Sequence, residues 1–102
     1  MLYQLVIQFH PAGALDLEKL VAIEDALTHK LGDSASVDGH DTGSGEFNIF
    51  ILTADPNGSF QRAQRLLEED RLLGKMNVAY RDIDGEDYVI LWPPNLTEFK
   101  IA

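Results

Sequence analysis

Hydrophobic residues recur along this chain with two alternating periods, and that alternation restricts the fold more than any other feature. From Leu2 to Phe9 the period is two: Tyr3, Leu5, Ile7 and Phe9 share one face, Gln4, Val6 and Gln8 the other, as in a strand with one apolar side. His10-Pro11-Ala12-Gly13 stops it, because proline lacks the ladder donor. Leu17, Leu20, Ile23, Leu27 and Leu31 then recur every three or four residues, with Asp16 placed to cap a helix and Gly32 just past its end. Ser34 to Asp41 reads as a strand in which only Ala35 and Val37 are apolar, and Phe47 to Thr53 alternates strongly again. Asp55-Pro56 opens a second helix, a capping carboxylate followed by a ring with no N–H to leave unpaired. That helix carries Phe60, Ala63, Leu66, Leu67 and Leu73 and is expected to stop at Gly74, with Gly58 weakening its first turn by up to about 1 kcal/mol relative to alanine. Val78 to Ile83 and Glu86 to Trp92 flank Asp84-Gly85, a preferred two-residue hairpin turn whose central residues both need φ > 0. Pro93-Pro94 ends the last strand, and Asn95 to Ala102 is expected as a loose tail or a small added strand.

The expected order is β-α-β-β-α-β-β. At the level of element order it resembles the ferredoxin-like βαββαβ two-layer sandwich over nearly the whole chain, with an extra C-terminal hairpin strand. The resemblance implies one α+β domain over residues 1–102, with two helices on one face of a mostly antiparallel sheet. It implies the spatial order 5-4-1-3-2, with the first and third strands central and parallel. The last strand, Tyr88-Val89-Ile90-Leu91-Trp92, is more apolar than an outer edge requires, so cover from the tail or a partner is expected.

Composition removes several functions. A chain of 102 residues, 45% apolar, buries about 65% of its unfolded surface as a single domain and needs no staple. The absence of cysteine excludes a thiol nucleophile, a thiolate metal site and a disulfide framework. Eight basic residues against 17 acidic ones give a net charge of −9, which repels phosphate backbones and argues against nucleic acid. Met1-Leu2-Tyr3-Gln4 has neither the basic nor the apolar part of a signal peptide, and no apolar run approaches membrane-span length, so a cytoplasmic, membrane-independent protein is expected. Known uses of the fold narrow further. RNA-recognition modules need Lys and Arg on central strands that here have none, copper carriers need a Cys-x-x-Cys loop, and an acylphosphatase-like enzyme needs an arginine and a glycine-rich cradle where His10-Pro11-Ala12-Gly13 stands. A sensor or regulatory domain and a dimeric α+β barrel remain.

Three places could carry function. Around Gly39, Gly43 and Gly45 stand Asp38, His40, Asp41, Glu46 and Asn48, a candidate ligand set. If residues 38–41 pair with 46–49, His40 and Asp38 share a face with Asn48 or Glu46, and His40 can serve as base, ligand or pH switch. The plain alternative is a hairpin with local turn bonds, and the spacing matches no metal or catalytic motif. At the second hairpin, a two-residue turn sets Asp82 opposite Asp87, a like-charged pair suited to a basic partner or simply exposed to water. The third place is the sheet face away from the helices, with Gln4, Val6, Gln8, Asn48, Phe50 and Leu52 and no expected element to cover it. Gln4, Val6, Gln8, Phe50, Leu52, Asp82 and Asp87 are thus the candidate interface residues.

Charge is also unevenly spread. From Leu31 to Gln61 there are five acids (Asp33, Asp38, Asp41, Glu46, Asp55) and no Lys or Arg, while most basic residues fall on the two helices. The sequence therefore points to a small acidic, non-catalytic interaction or regulatory protein without a cofactor. It would act as a homodimer through the open sheet face or bind a basic protein. The competing expectation is a small-molecule or metal-binding domain, or a cofactor-independent enzyme, centred on residues 38–48.

Overall fold

A computed structural model describes residues 2–9, 17–43, 46–69, 72–99 and 101. The strands are β1 (Tyr3–Phe9), β2 (Ala35–Gly43), β3 (Glu46–Thr53), β4 (Met76–Asp82) and β5 (Val89–Trp92), and the helices are α1 (Leu17–Leu31) and α2 (Pro56–Glu69). They form an α+β protein with one antiparallel five-stranded sheet in the order β2-β3-β1-β4-β5. Read from the other edge, this is the order expected from the sequence. The expected parallel pairing of the first and third strands is corrected: β1 and β3 run antiparallel, Tyr3 opposite Thr53 and Phe9 opposite Phe47. The reason is connectivity. The helix crossover leaves β1 and β2 pointing the same way, and β3, returning from β2 by a hairpin, is inserted between them in the opposite sense.

The amphipathic stripes of both helices meet the same sheet face. Leu20, Ile23, Leu27 and Leu31 of α1 and Phe60, Ala63 and Leu67 of α2 enclose Leu5, Ile7, Phe9, Ile49, Ile51, Met76 and Val78 in one core. The first helix ends as its sequence dictates, with Gly32 at φ 57° just beyond Leu31. The proposed cap Asp16 lies outside the described residues. At the start of α2, Asp55 Oδ1 accepts the Gly58 N–H at 3.0 Å, and Thr53 Oγ1, 2.8 Å from Ser59 Oγ, accepts the Asp55 N–H. A Cβ at position 58 would sit 2.2 Å from Asp55 Oδ2, so the glycine makes room for the cap as well as loosening the turn.

Leu73 is not part of the second helix as expected. It starts a 3₁₀ turn (Leu73–Lys75), and its carbonyl accepts the Trp92 indole N–H at 2.8 Å. Continuing the helix would commit that carbonyl to Asn77, whose backbone already belongs to β4. Trp92 packs near Phe60, so the end of β5 is tied to the helix layer.

The reverse face is not bare. Val6 and Ala79 are fully buried beneath Phe99, with Phe50, Tyr88, Ile90, Leu96 and Ile101 packed around them. Residues 94–99, which follow Pro93, are therefore neither loose nor a strand. They turn through the Leu96 N–H to Pro93 carbonyl bond (3.1 Å), and Phe99 stacks on Tyr88 with ring centres 4.9 Å apart. The spacing of Leu96, Phe99 and Ile101 fits neither a strand nor a helix period, which is why pattern reading does not place it.

Candidate functional site

Strand register settles which of the sequence-derived residues meet. Beyond Gly43 and Glu46 the hairpin pairs Asp41 with Asn48, His40 with Ile49 and Gly39 with Phe50. His40 therefore points with Ile49 to the helix side, while Asp41, Glu46 and Asn48 belong to the reverse face. The expected grouping of His40 and Asp38 with Asn48 or Glu46 does not form. Register in a strand pair decides the face of every side chain, and with Asp41 opposite Asn48 the adjacent His40 faces the other way.

Asp38 occupies a bulge. The ladder shifts between Val37, opposite Ile51, and Gly39, opposite Phe50, leaving Asp38 as the extra residue and Gly39 at φ 130°. The bulge has a packing purpose. It returns Val37 and Ala35 to the helix side, where they join the core, without turning His40 away from that side. There His40 Nδ1 contacts Glu24 Oε1 of α1, a contact that becomes an ion pair when the imidazole is protonated. Among the described residues, no group of three or more His, Asp or Glu is arranged to hold a metal ion.

Across the reverse face, three rows run perpendicular to the strands. The middle row, with Phe50, Val6, Ala79 and Ile90, is the apolar one sealed by the Phe99 segment. One flanking row is polar on four strands: Asp41, Asn48, Gln8 and Asn77. Gln8 and Asn48 are almost wholly buried, and Asn77 Nδ2 donates to Gln8 Oε1 at 3.4 Å. Asn48 Oδ1 and, two residues earlier, Glu46 Oε1 are shielded from water with no hydrogen-bond partner among the described residues. The other flanking row holds Ser36, Leu52, Gln4 and Arg81, with Leu52 and Gln4 half-buried. Of the expected interface residues, Val6 and Gln8 are thus inaccessible, while Gln4, Phe50 and Leu52 keep some exposure.

Beside that second row runs a groove of about 680 Å³. Residues 32–37 at the start of β2 form one wall, and Leu2, Thr28 and residues 52–54 complete it. Leu2 is 43% exposed there. β2 is an outer strand paired only with β3 among the described residues; Asp38 and Asp41 are exposed along it, and Asp33 is exposed just before it. Leu2, Asp33 and Ser36 belong to no sequence motif, and only the folding of β2 against β3 brings them together.

The second hairpin differs from its expected turn. The Gly85 N–H donates to the Asp82 carbonyl at 2.9 Å, so the turn spans Asp82–Gly85 with Ile83 and Asp84 at its centre. Gly85 does not adopt a positive φ. Asp82 Oδ1 accepts the Asp84 N–H at 3.0 Å, and Arg81 Nη1 donates to the carbonyls of Asp82, Ile83 and Gly85 at 3.3, 3.0 and 3.0 Å. These local bonds choose the turn in place of the Asp-Gly preference. Pairing between β4 and β5 begins only at Tyr80 and Val89, in the expected register, so Asp82 and Asp87 are not cross-strand partners. No described helix is long and apolar enough to cross a membrane.

Comparison with known proteins gives no match to a family model, to a curated protein or to a solved structure.

Proposed function

We propose that this chain is a non-catalytic cytoplasmic module that binds a basic, partly apolar protein segment along the outer edge of β2. The carrying observation is the groove over Leu2 and Leu52, rimmed by Asp33 and continued by Asp38 and Asp41, in a stretch of 30 residues from Gly32 to Gln61 without Lys or Arg before Arg62. An outer strand supplies main-chain donors and acceptors to an extended segment, the groove takes its apolar side chains, and the acids attract its charge. The α+β architecture is read as a ferredoxin-like sandwich extended by one strand, in which this edge has no second partner strand among the described residues. A homodimer through the same face is disfavoured, since two copies would each bring a net charge of −9 to the contact. The tip acids Asp82 and Asp87 are a poorer dock, because Arg81 lies among them.

A fluorescent peptide of alternating lysine and leucine tests the reading. Asp38→Asn with Asp41→Asn should weaken binding about tenfold, and Asp84→Asn with Asp87→Asn, which removes equal charge, less than about threefold. Equal losses in the two pairs would reduce the interaction to unspecific attraction and defeat the proposal. A second reading, a small-molecule site on the reverse face, draws on the unpartnered oxygens of Asn48 and Glu46. Its test is a rise in melting temperature with small amines that Asn48→Leu abolishes.

A further inference from the structure

We infer that a cleft on the helix side of the molecule binds the phosphate group of a small anionic ligand. The cleft, of about 580 Å³, is lined by Lys30 from the last turn of α1, by Asp55 just before α2, and by Gly58, Gln61, Arg62 and Arg65 along the first three turns of α2. Three of the eight Lys and Arg residues of a chain with net charge −9 converge there. Neither the Lys30 nor the Arg65 side chain forms an ion pair or hydrogen bond with another described residue, although Glu69 stands one helical turn beyond Arg65. Gathering three cations opposes folding through mutual repulsion, and an acidic protein has carboxylates enough to neutralise them. Leaving them open on a shared concavity is the arrangement of an anion site.

The geometry sets the ligand class. Arg62 is anchored, its Nη1 donating to Ser34 Oγ at 2.5 Å, and Ser34 Oγ in turn donates to the Leu31 carbonyl. The rest of the planar guanidinium is free to grip two oxygens of one group. Asp55, the one carboxylate in the lining, is held back by the Gly58 N–H on its Oδ1. Three cations against one carboxylate leave a surplus of two positive charges, which matches a phosphate monoester dianion better than a single carboxylate. Gly58 contributes no side chain to the lining, and the cleft has room for a small organic group beyond the phosphate.

Amide chemical shifts followed during titration with inorganic phosphate, then glycerol phosphate, test the site, with sodium chloride at matched ionic strength as control. Saturable shifts at residues 30–34 and 58–65 are expected. Lys30→Gln with Arg65→Gln should lower phosphate affinity about tenfold or more, and Lys75→Gln, outside the cleft, should leave it unchanged. Both replaced side chains are exposed, so the fold should persist. If the double variant nonetheless unfolds, Lys30→Gln alone should still lower affinity about threefold. Shifts equal to those from chloride, or unchanged affinity in the variants, would overturn the inference. The peptide test probes a cation-binding edge with a cationic ligand, so failure of either proposal is visible without the other.

Discussion

Replacing Asn48 by leucine should make the protein more stable, against the usual expectation for a buried core position. Asn48 is 1% exposed, and its Oδ1 has no partner among the described residues. A buried acceptor left unsatisfied costs about 1–3 kcal/mol, and leucine removes it while keeping the side chain's branching. The bulkier methyl groups return roughly 1 kcal/mol as crowding in a packed layer. The net gain is then between zero and about 2 kcal/mol, and each kcal/mol corresponds to roughly 4–8 °C in melting temperature for a domain of this size. Urea unfolding reports it directly, since Trp92 is the sole tryptophan and is hydrogen-bonded to the Leu73 carbonyl only in the folded state. Asn77→Leu is the internal comparison. Its amide donates to Gln8 Oε1, so its loss should be neutral or destabilising by up to about 1 kcal/mol. If Asn48→Leu instead lowers stability by more than about 1 kcal/mol, Oδ1 is satisfied in solution and the reasoning about the polar row is refuted.

Three further outcomes are expected. Gly58→Ala should bring little of the roughly 1 kcal/mol helix-propensity gain, because its Cβ displaces the Asp55 cap; urea midpoints of this variant and of Asp55→Ala check it, and a full gain would contradict the cap geometry. Phe99→Ala should destabilise by about 3 kcal/mol and open Val6 and Ala79 to solvent, seen as faster amide exchange in β1 and β4; unchanged exchange would mean the segment is not the cover. Gly39→Ala should cost about 1–2 kcal/mol from backbone strain alone, since nothing lies within 4 Å of the added carbon; calorimetry that finds no loss would speak against the positive φ at the bulge.

Much of the α+β layout was legible because burial writes itself into periods. The apolar stripes of Leu20 to Leu31 and Phe60 to Leu67, and the alternation in Leu5 to Phe9 and Phe47 to Ile51, correspond to the residues that form the core. What escaped depends on single hydrogen bonds or single residues. The Asp82–Gly85 turn follows from what Arg81 and the Asp82 carboxylate bind, and composition alone favours a different turn at the same letters. The grouping around residues 38–48 failed on register: one step along β2 decides whether His40 meets Glu24 or Asn48. The reverse-face cover escaped because three apolar residues in an aperiodic segment resemble a loop until they are seen against Val6.

The central place of β1 bears on how the chain is made. Its neighbours are β3 and β4, so the Leu5–Phe9 strand finds no sheet partner until residues 46–53 have been synthesised, and its other flank waits for residues 76–82. Val6 waits longer still, for Phe99. At ordinary ribosomal speed that interval lasts about 5–20 s, during which an apolar segment must be kept from foreign strands. Pairings between such distant segments close slowly, so β1, at the centre of the sheet, is among the last strands to gain both neighbours.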